Sequence, residues 1–408
     1  MHAPLASNDP VTQVLNGKRA GFVPVAPSYE FLGPLQFHRL ELNWRAWWDR
    51  LEREGTDALA VDYETYLEVQ LGVYTEIFDR VYSRPAWTSL PHNSTREQMR
   101  GSAVVRRGDE LFWLSADGSA SWIPPHRAAQ HEAEVADRSL PWADLWDRSE
   151  SAGPAVRDAA ARPLHDLRPP PPPTAKQVEA ITGSERYDLA RALAARYPDD
   201  LPLYASGVSP YNGLMFLFGF QHLMYALAES PALVHRILEN QLPGPSARLA
   251  AERRLGITLM FVEECMASAD VLSPRMYQEF CFPYTRQALQ LYEDMGFRTV
   301  LYFSGNPMPL LPYLKELPFT ALAVEEDRKA YGIDLAEVRR ALGPDRVLFG
   351  NVDAMFLEKA SDEEVLREAR RQIAIAGPDN FILSVGSPFT PGTSLERIRF
   401  FCESTRLI

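Results

Sequence analysis

The sequence predicts an α/β fold, a closed (β/α)₈ TIM barrel with a β-rich insertion between its second and third strands. Three observations carry that reading. Short unbroken apolar runs alternate with helical periods along the chain, the pattern of parallel strands covered by helices on both sides. The runs number eight, enough to close a barrel. Helix-start signals recur between the later runs.

The eight strand-like runs are Phe22–Ala26, Ala58–Val61, Leu201–Ala205, Ile257–Val262, Thr299–Phe303, Ala321–Val324, Val347–Phe349 and Phe381–Leu383. Ser273-Pro274 supplies an N-cap followed by proline at the first helical position, opening a helix that runs toward Gly296. Asp334 with Glu337, Ser361 with Glu364, and Thr393 with Glu396 have the capping-box spacing. The chain is read as one barrel domain over residues 1–408, with residues 100–175 as an insertion. Within the insertion, Gly101–Pro124 reads as two or three strands turning at Arg107-Gly108-Asp109 and Asp117-Gly118. It ends in a proline run to Pro173, which favours a stiff, extended connector over a proline-recognition motif.

Bulk properties narrow the function. Hydrophobic residues make up 46% and charged residues 24%, enough apolar material for a sizeable core. A formal net charge of −12 argues against nucleic acid and anionic membranes as partners, leaving a small-molecule substrate. The insertion is long enough to act as a lid or as the arm of a homodimer. No apolar run reaches the ~20 residues of a membrane helix, and the N-terminal stretch lacks a signal-peptide layout. The three cysteines (Cys265, Cys281, Cys402) have no CxxC spacing, so a reducing cytoplasm is the expected location. Neither a GxxxxGK[ST] loop nor a GxGxxG turn occurs, and no cofactor is expected.

Barrel enzymes carry their chemistry just past the C-terminal strand ends. Those positions hold Ser28, Tyr29 and Glu30; Asp62, Tyr63 and Glu64; Ser206, Ser209, Tyr211 and Asn212; Glu263 and Glu264. The later strands contribute Tyr302, Ser304 and Asn306; Glu325, Glu326, Asp327 and Arg328; Asn351 and Asp353; Ser384 and Ser387. Carboxylates crowded on one rim require a proton, a cation or hydrogen-bond donors, and such crowding raises a carboxyl pKa toward the range of a general acid or base. Asp62, Glu64 and Glu263 are the catalytic candidates. Substrate contacts are assigned to Tyr29, Tyr211, Asn212, Glu264, Tyr302, Ser304, Asn306, Glu325, Asn351, Asp353 and Ser387. In each adjacent acidic pair, one side chain should face the lumen and the other a helix. None of the eight histidines (His2, His38, His92, His126, His131, His165, His222, His235) lies at a predicted strand end, and lone cysteines are more often small buried hydrophobes. An oxygen-only Mg²⁺ or Mn²⁺ site is the alternative answer to the acidic rim; no metal is assigned.

The stretch Phe261–Ile408 resembles the uroporphyrinogen decarboxylase superfamily, which also holds corrinoid- and thiol-directed methyltransferases. The matching residues include SPRMYQEFCFPYTRQAL, Ser304-Gly305-Asn306, Gly350-Asn351-Val352-Asp353 and Ser384–Thr393. Weaker echoes are VTQVLNGKRAGFVPVAP, DALAVDYETYLEVQLG and SPYNGLMFLFG. The resemblance implies that Glu64, or Asp62 beside it, replaces the substrate-holding aspartate of the haem-pathway decarboxylases. Their tyrosine after strand three falls near Phe216, and their histidine after strand eight at Ser387. Their N-terminal arginine motif is absent, with only Arg39 and Arg45 nearby, and an acidic cup repels a poly-anionic porphyrinogen. The methyltransferase branch binds zinc through His-x-Cys after strand five and a later cysteine. Here those places hold Tyr302-Phe303-Ser304 and Ser387, whose hydroxyls are poor zinc ligands. The implied activity is a metal-independent lyase, decarboxylating a small or medium N-containing substrate. Zinc-less methyl or alkyl transfer and a non-catalytic binding barrel are the alternatives.

Overall fold

The computed structural model describes residues 8–27, 34–82, 87–125, 172–198, 200–242, 244, 246–327 and 330–408. Two sheets emerge. The larger is parallel and seven-stranded, with spatial order β11-β10-β9-β8-β7-β6-β2. Its strands are β2 (Thr88–Ser89), β6 (Leu203–Val208), β7 (Leu259–Glu264), β8 (Arg298–Phe303), β9 (Ala321–Val324), β10 (Val347–Phe349) and β11 (Phe381–Ile382). Val25 adds a parallel bridge to Leu383, which makes the segment around it the eighth stave and sets the first stave beside the last. This is the TIM barrel that the sequence predicts, with seven of its eight staves where the apolar runs place them.

The second stave is a correction. Ala58–Ala60 (β1) pairs antiparallel with β3 (Ala103–Arg107), which continues into β4 (Glu110–Leu114) and β5 (Ala120–Ile123). The run Ala58–Val61 therefore belongs to a separate four-stranded sheet, and Thr88–Ser89 fills its place in the barrel, parallel to β6. That small sheet and helices α2 (Pro34–Glu54) and α3 (Tyr63–Glu76) share a core of their own around Trp47, Leu51, Val69, Val104 and Leu111. The expected hairpins of the insertion are present. Its connector lies mostly outside the described residues.

Strand alternation sorts every stave into an inner and an outer face. Leu259, Phe261, Val300, Tyr302, Ala321, Ala323, Val347, Phe349 and Ile382 pack together inside the barrel. Met260, Val262, Leu301, Leu322, Val324 and Leu348 face the surrounding helices. The bottom is stoppered by helix α1 (Pro10–Leu15), whose Val11, Val14 and Leu15 join the inner cluster. Asp9 caps that helix by accepting from the Val11 and Thr12 amides. Ser273, Asp334 and Ser361 all cap their helices, the full capping box being the one between Ser361 and Glu364, whereas Ser394 rather than Thr393 caps the last helix.

Midway up the lumen lies a layer of rings. Trp87 stacks on Tyr204 at 4.5 Å and meets Phe261 and Phe349 edge-on at 6.2 and 5.8 Å. Tyr302 stacks on Phe261 at 5.7 Å. Trp87 is only 1% exposed, and among the described residues its indole N–H has no hydrogen-bond partner. Trp87→Ala is expected to cost about 3–5 kcal/mol through the cavity it leaves. Trp87→Phe, which keeps a ring and removes the unmet donor, should cost far less in chemical denaturation. Equal losses for both variants would refute this account of the floor.

Candidate active site

Above the aromatic layer the inner face turns polar. Alternation continues from Phe261 to Glu263, from Tyr302 to Ser304, from Ala323 to Glu325 and from Phe349 to Asn351, so these four project into the mouth. Register carries the same line around the wall, pairing Val208 with Glu263, Glu263 with Tyr302, and Tyr302 with Ala323.

Glu325 is the best-held group. Its Oε1 accepts from Ser304 Oγ at 2.9 Å; its Oε2 accepts from the Gly305 amide at 3.1 Å and from the Tyr331 hydroxyl at 3.4 Å. Three donors aimed at one carboxyl fix its position and orientation. Gly305 reaches that position with φ +86°, where a Cβ would also run into Ser268 and Asp270. The Asn351 amide donates to the Glu325 carbonyl at 3.0 Å, tying stave seven to stave six. The Tyr302 hydroxyl crosses to the Gly386 carbonyl at 2.9 Å, and Ser387 Oγ donates to Glu326 Oε1 at 2.9 Å. These contacts make Tyr302, Asn351 and Ser387 builders of the mouth. Gly386 is needed for its size, since a Cβ there would overlap Glu326 and sit 2.7 Å from the Glu325 carbonyl carbon. Gly386→Ala should therefore displace the end of stave six and cut turnover more than it cuts stability, a split readable by comparing kcat with the denaturation midpoint.

Glu263 and Glu264 divide as alternation requires. Glu263 is half-buried in the mouth. Glu264 is fully buried on the outer side of the wall, accepting from Ser209 Oγ and Thr285 Oγ1, each at 2.7 Å. Burial pushes its carboxyl up to about 7, and the two hydroxyls offset only part of that rise. The expectation of a substrate contact at Glu264 is thus corrected. Tyr211 is likewise packed into the outer core, where burial raises its hydroxyl pKa, and Asn212 is buried in the first turn of the same helix.

Asp62 and Glu64 are not in the mouth. Both follow β1 and so lie with the small sheet. Asp62 caps α3 by accepting from the Thr65 amide at 2.7 Å, which holds its carboxyl below the usual range. Glu64 is exposed and paired with Arg96. Asn306 and Asp353 serve local turns, accepting from the Met308 and Phe356 amides. Tyr29, with Ser28, Glu30 and Arg328, lies outside the described residues.

With the second stave reassigned, His92 stands three residues past a strand end. Its ring meets Tyr187 at 5.2 Å and its Nε2 lies 3.9 Å from Glu252. Burial, then Arg186 and Arg248, push it down to about 4, so it is neutral at physiological pH. Sequence reasoning also missed Tyr331, Gly305, Gly386 and Val208. Strict alternation from Tyr204 would have found Val208. Cys265 continues the inner series and packs against the lumen cluster.

A parallel barrel whose mouth holds two carboxylates among hydroxyls and amides defines the class: a (β/α)₈ barrel with an acidic mouth at the C-terminal strand ends. The uroporphyrinogen decarboxylase (URO-D) family model matches residues 147–407, and the chain belongs to that family. It is 22% identical over 275 residues to a methylated-thiol–coenzyme M methyltransferase of Methanosarcina mazei, covering 67% of this chain and 69% of the relative. It is 30% identical over 132 residues to a uroporphyrinogen decarboxylase of Thermodesulfovibrio yellowstonii, covering 32% of this chain and 36% of that one. A solved structure of a methyltransferase from Methanosarcina mazei superposes with a TM-score of 0.55 at 18% identity, covering 99% and 98% of the two chains. That likeness is one of fold.

Proposed function

We propose that this chain is a decarboxylating lyase acting on a small N-containing substrate that becomes cationic during reaction. The observation that carries the proposal is that strand alternation puts Glu263 of stave four and Glu325 of stave six on the inner face, on the two staves that flank Ser304 of stave five. Glu325, fixed by its three donors, supplies a standing negative charge. Glu263 is the proton carrier. In its acid form it protonates an electron-rich, enamine-like substrate, producing an iminium cation that Glu325 stabilises. The bond to the departing carboxylate then breaks, its electron pair neutralises the cation, and CO₂ leaves. Solvent returns a proton to Glu263. The zinc of the thiol-directed relatives does not fit here, because Tyr302, Ser304 and Ser387 offer hydroxyls already committed to protein partners. No step runs through a metal, and chelation is expected to leave turnover unchanged.

Alkyl transfer is the second reading. It is favoured by the methyltransferase relative, which aligns over two thirds of the chain, and by the Cys265 thiol on the inner face. One experiment separates the two. Purified protein is offered a panel of N-bearing carboxylic acids and, separately, a methylated corrinoid with a thiol acceptor. Saturable CO₂ release that Glu263→Gln removes supports the lyase. Methyl transfer without CO₂ release would overturn it.

A further inference from the structure

Among the described residues, the exposed side chains of the inner face lie on one side of the lumen, and they point to a substrate feature. On staves six to eight the mouth is closed: Glu325 is 9%, Asn351 8% and Ser387 8% exposed. On stave three, Ser206 is exposed and Val208 is 39% exposed. Both face inward, because Tyr204 below them belongs to the lumen cluster and a Cβ on the intervening Gly207 would point at Tyr292 and Met260 of the outer shell. Val208 is register-paired with Glu263, and Ser206 with Phe261 of the aromatic layer. Ser206 and Val208 thus line a solvent-facing groove on the inner face, an aliphatic side chain beside a carboxylate and a serine beside a ring. A fully polar substrate would leave that valine in contact with water. A cation with an alkyl arm would cover it.

Resting on the cationic-substrate reading above, we infer that the Ser206–Val208 groove receives a short alkyl substituent carried on the substrate nitrogen, and that Val208 determines its length. Ammonium probes of graded length test this by titration calorimetry on the full chain. Butyltrimethylammonium should bind the native protein at least about tenfold more tightly than tetramethylammonium, since each buried methylene is worth roughly 0.8 kcal/mol, about fourfold. Val208→Trp, which fills the groove, should bring that ratio close to one, and Val208→Ala should lower it. Glu263→Gln should weaken both probes. A native ratio near one, or a ratio indifferent to both Val208 variants, overturns the groove while leaving the cationic reading standing. Failure of the native protein to bind any ammonium probe, or equal binding of uncharged butanol, sinks the cationic reading and the groove with it.

Discussion

Glu263→Gln lowers turnover by about 10²–10⁴-fold, the usual contribution of a positioned general acid, while the folded protein keeps its thermal midpoint. The amide preserves shape and hydrogen-bonding reach but cannot deliver the proton. Glu263 stands in the mouth by the alternation of β7, one register pair from Val208 and one from Tyr302. Asp62→Asn and Glu64→Gln are the matched controls, because Asp62 caps α3 and Glu64 is an exposed partner of Arg96, both following the strand of the small sheet. They should leave turnover at the native level. Steady-state kinetics on the three variants decides the matter. If Glu64→Gln or Asp62→Asn is the one that abolishes activity, the lumen assignment is wrong.

The second large effect concerns stability against pH and resides in Glu264. This carboxyl is wholly buried, with its folded-state pKa raised from 4.5 to about 7 by desolvation. Below the unfolded value the group is protonated in both states and contributes nothing to the pH dependence. Between 4.5 and about 7 only the unfolded chain releases the proton, so stability falls as pH rises; above about 7 the loss levels off. The full change is about 3 kcal/mol at 1.36 kcal/mol per pKa unit. Glu264→Gln can keep its links to Ser209 and Thr285 without ionising. The variant should therefore gain on the native protein progressively from pH 5 to pH 8, by up to that amount, in urea denaturation. A stability difference that is flat across this range would mean that Glu264 is ionised in the folded protein.

These two neighbours show what the sequence makes legible and what it conceals. Buried parallel staves read as continuous apolar text, so Leu259–Glu264, Arg298–Phe303 and Ala321–Val324 are visible, and with them the strand ends that hold Glu263 and Glu325. The pairing rule for adjacent acids holds for Glu263 and Glu264, but only the large inner side chains Leu259 and Phe261 say which one faces the lumen. The second stave is concealed for a different reason. Ala58–Ala60 is as apolar as a stave, and nothing local distinguishes a partner in a hairpin from a partner in a barrel. Thr88–Ser89 has only two paired residues, one a serine, too brief to register as a strand. Asp62 and Glu64 inherit that error whole. Tyr331 and Gly386 were invisible because each reaches the mouth through a loop, where no period constrains direction.

The bridge between Val25 and Leu383 also bears on the order of assembly. The stopper at the base of the lumen and the first stave are synthesised before every other stave, yet the stave they lean on is the last of the eight to follow them. Until then the aromatic layer has an open flank, and local contacts alone cannot close it. A nascent chain arrested before Phe381 should accordingly remain protease-sensitive around Trp87 and Tyr204, acquiring resistance in one late step when the ring is sealed.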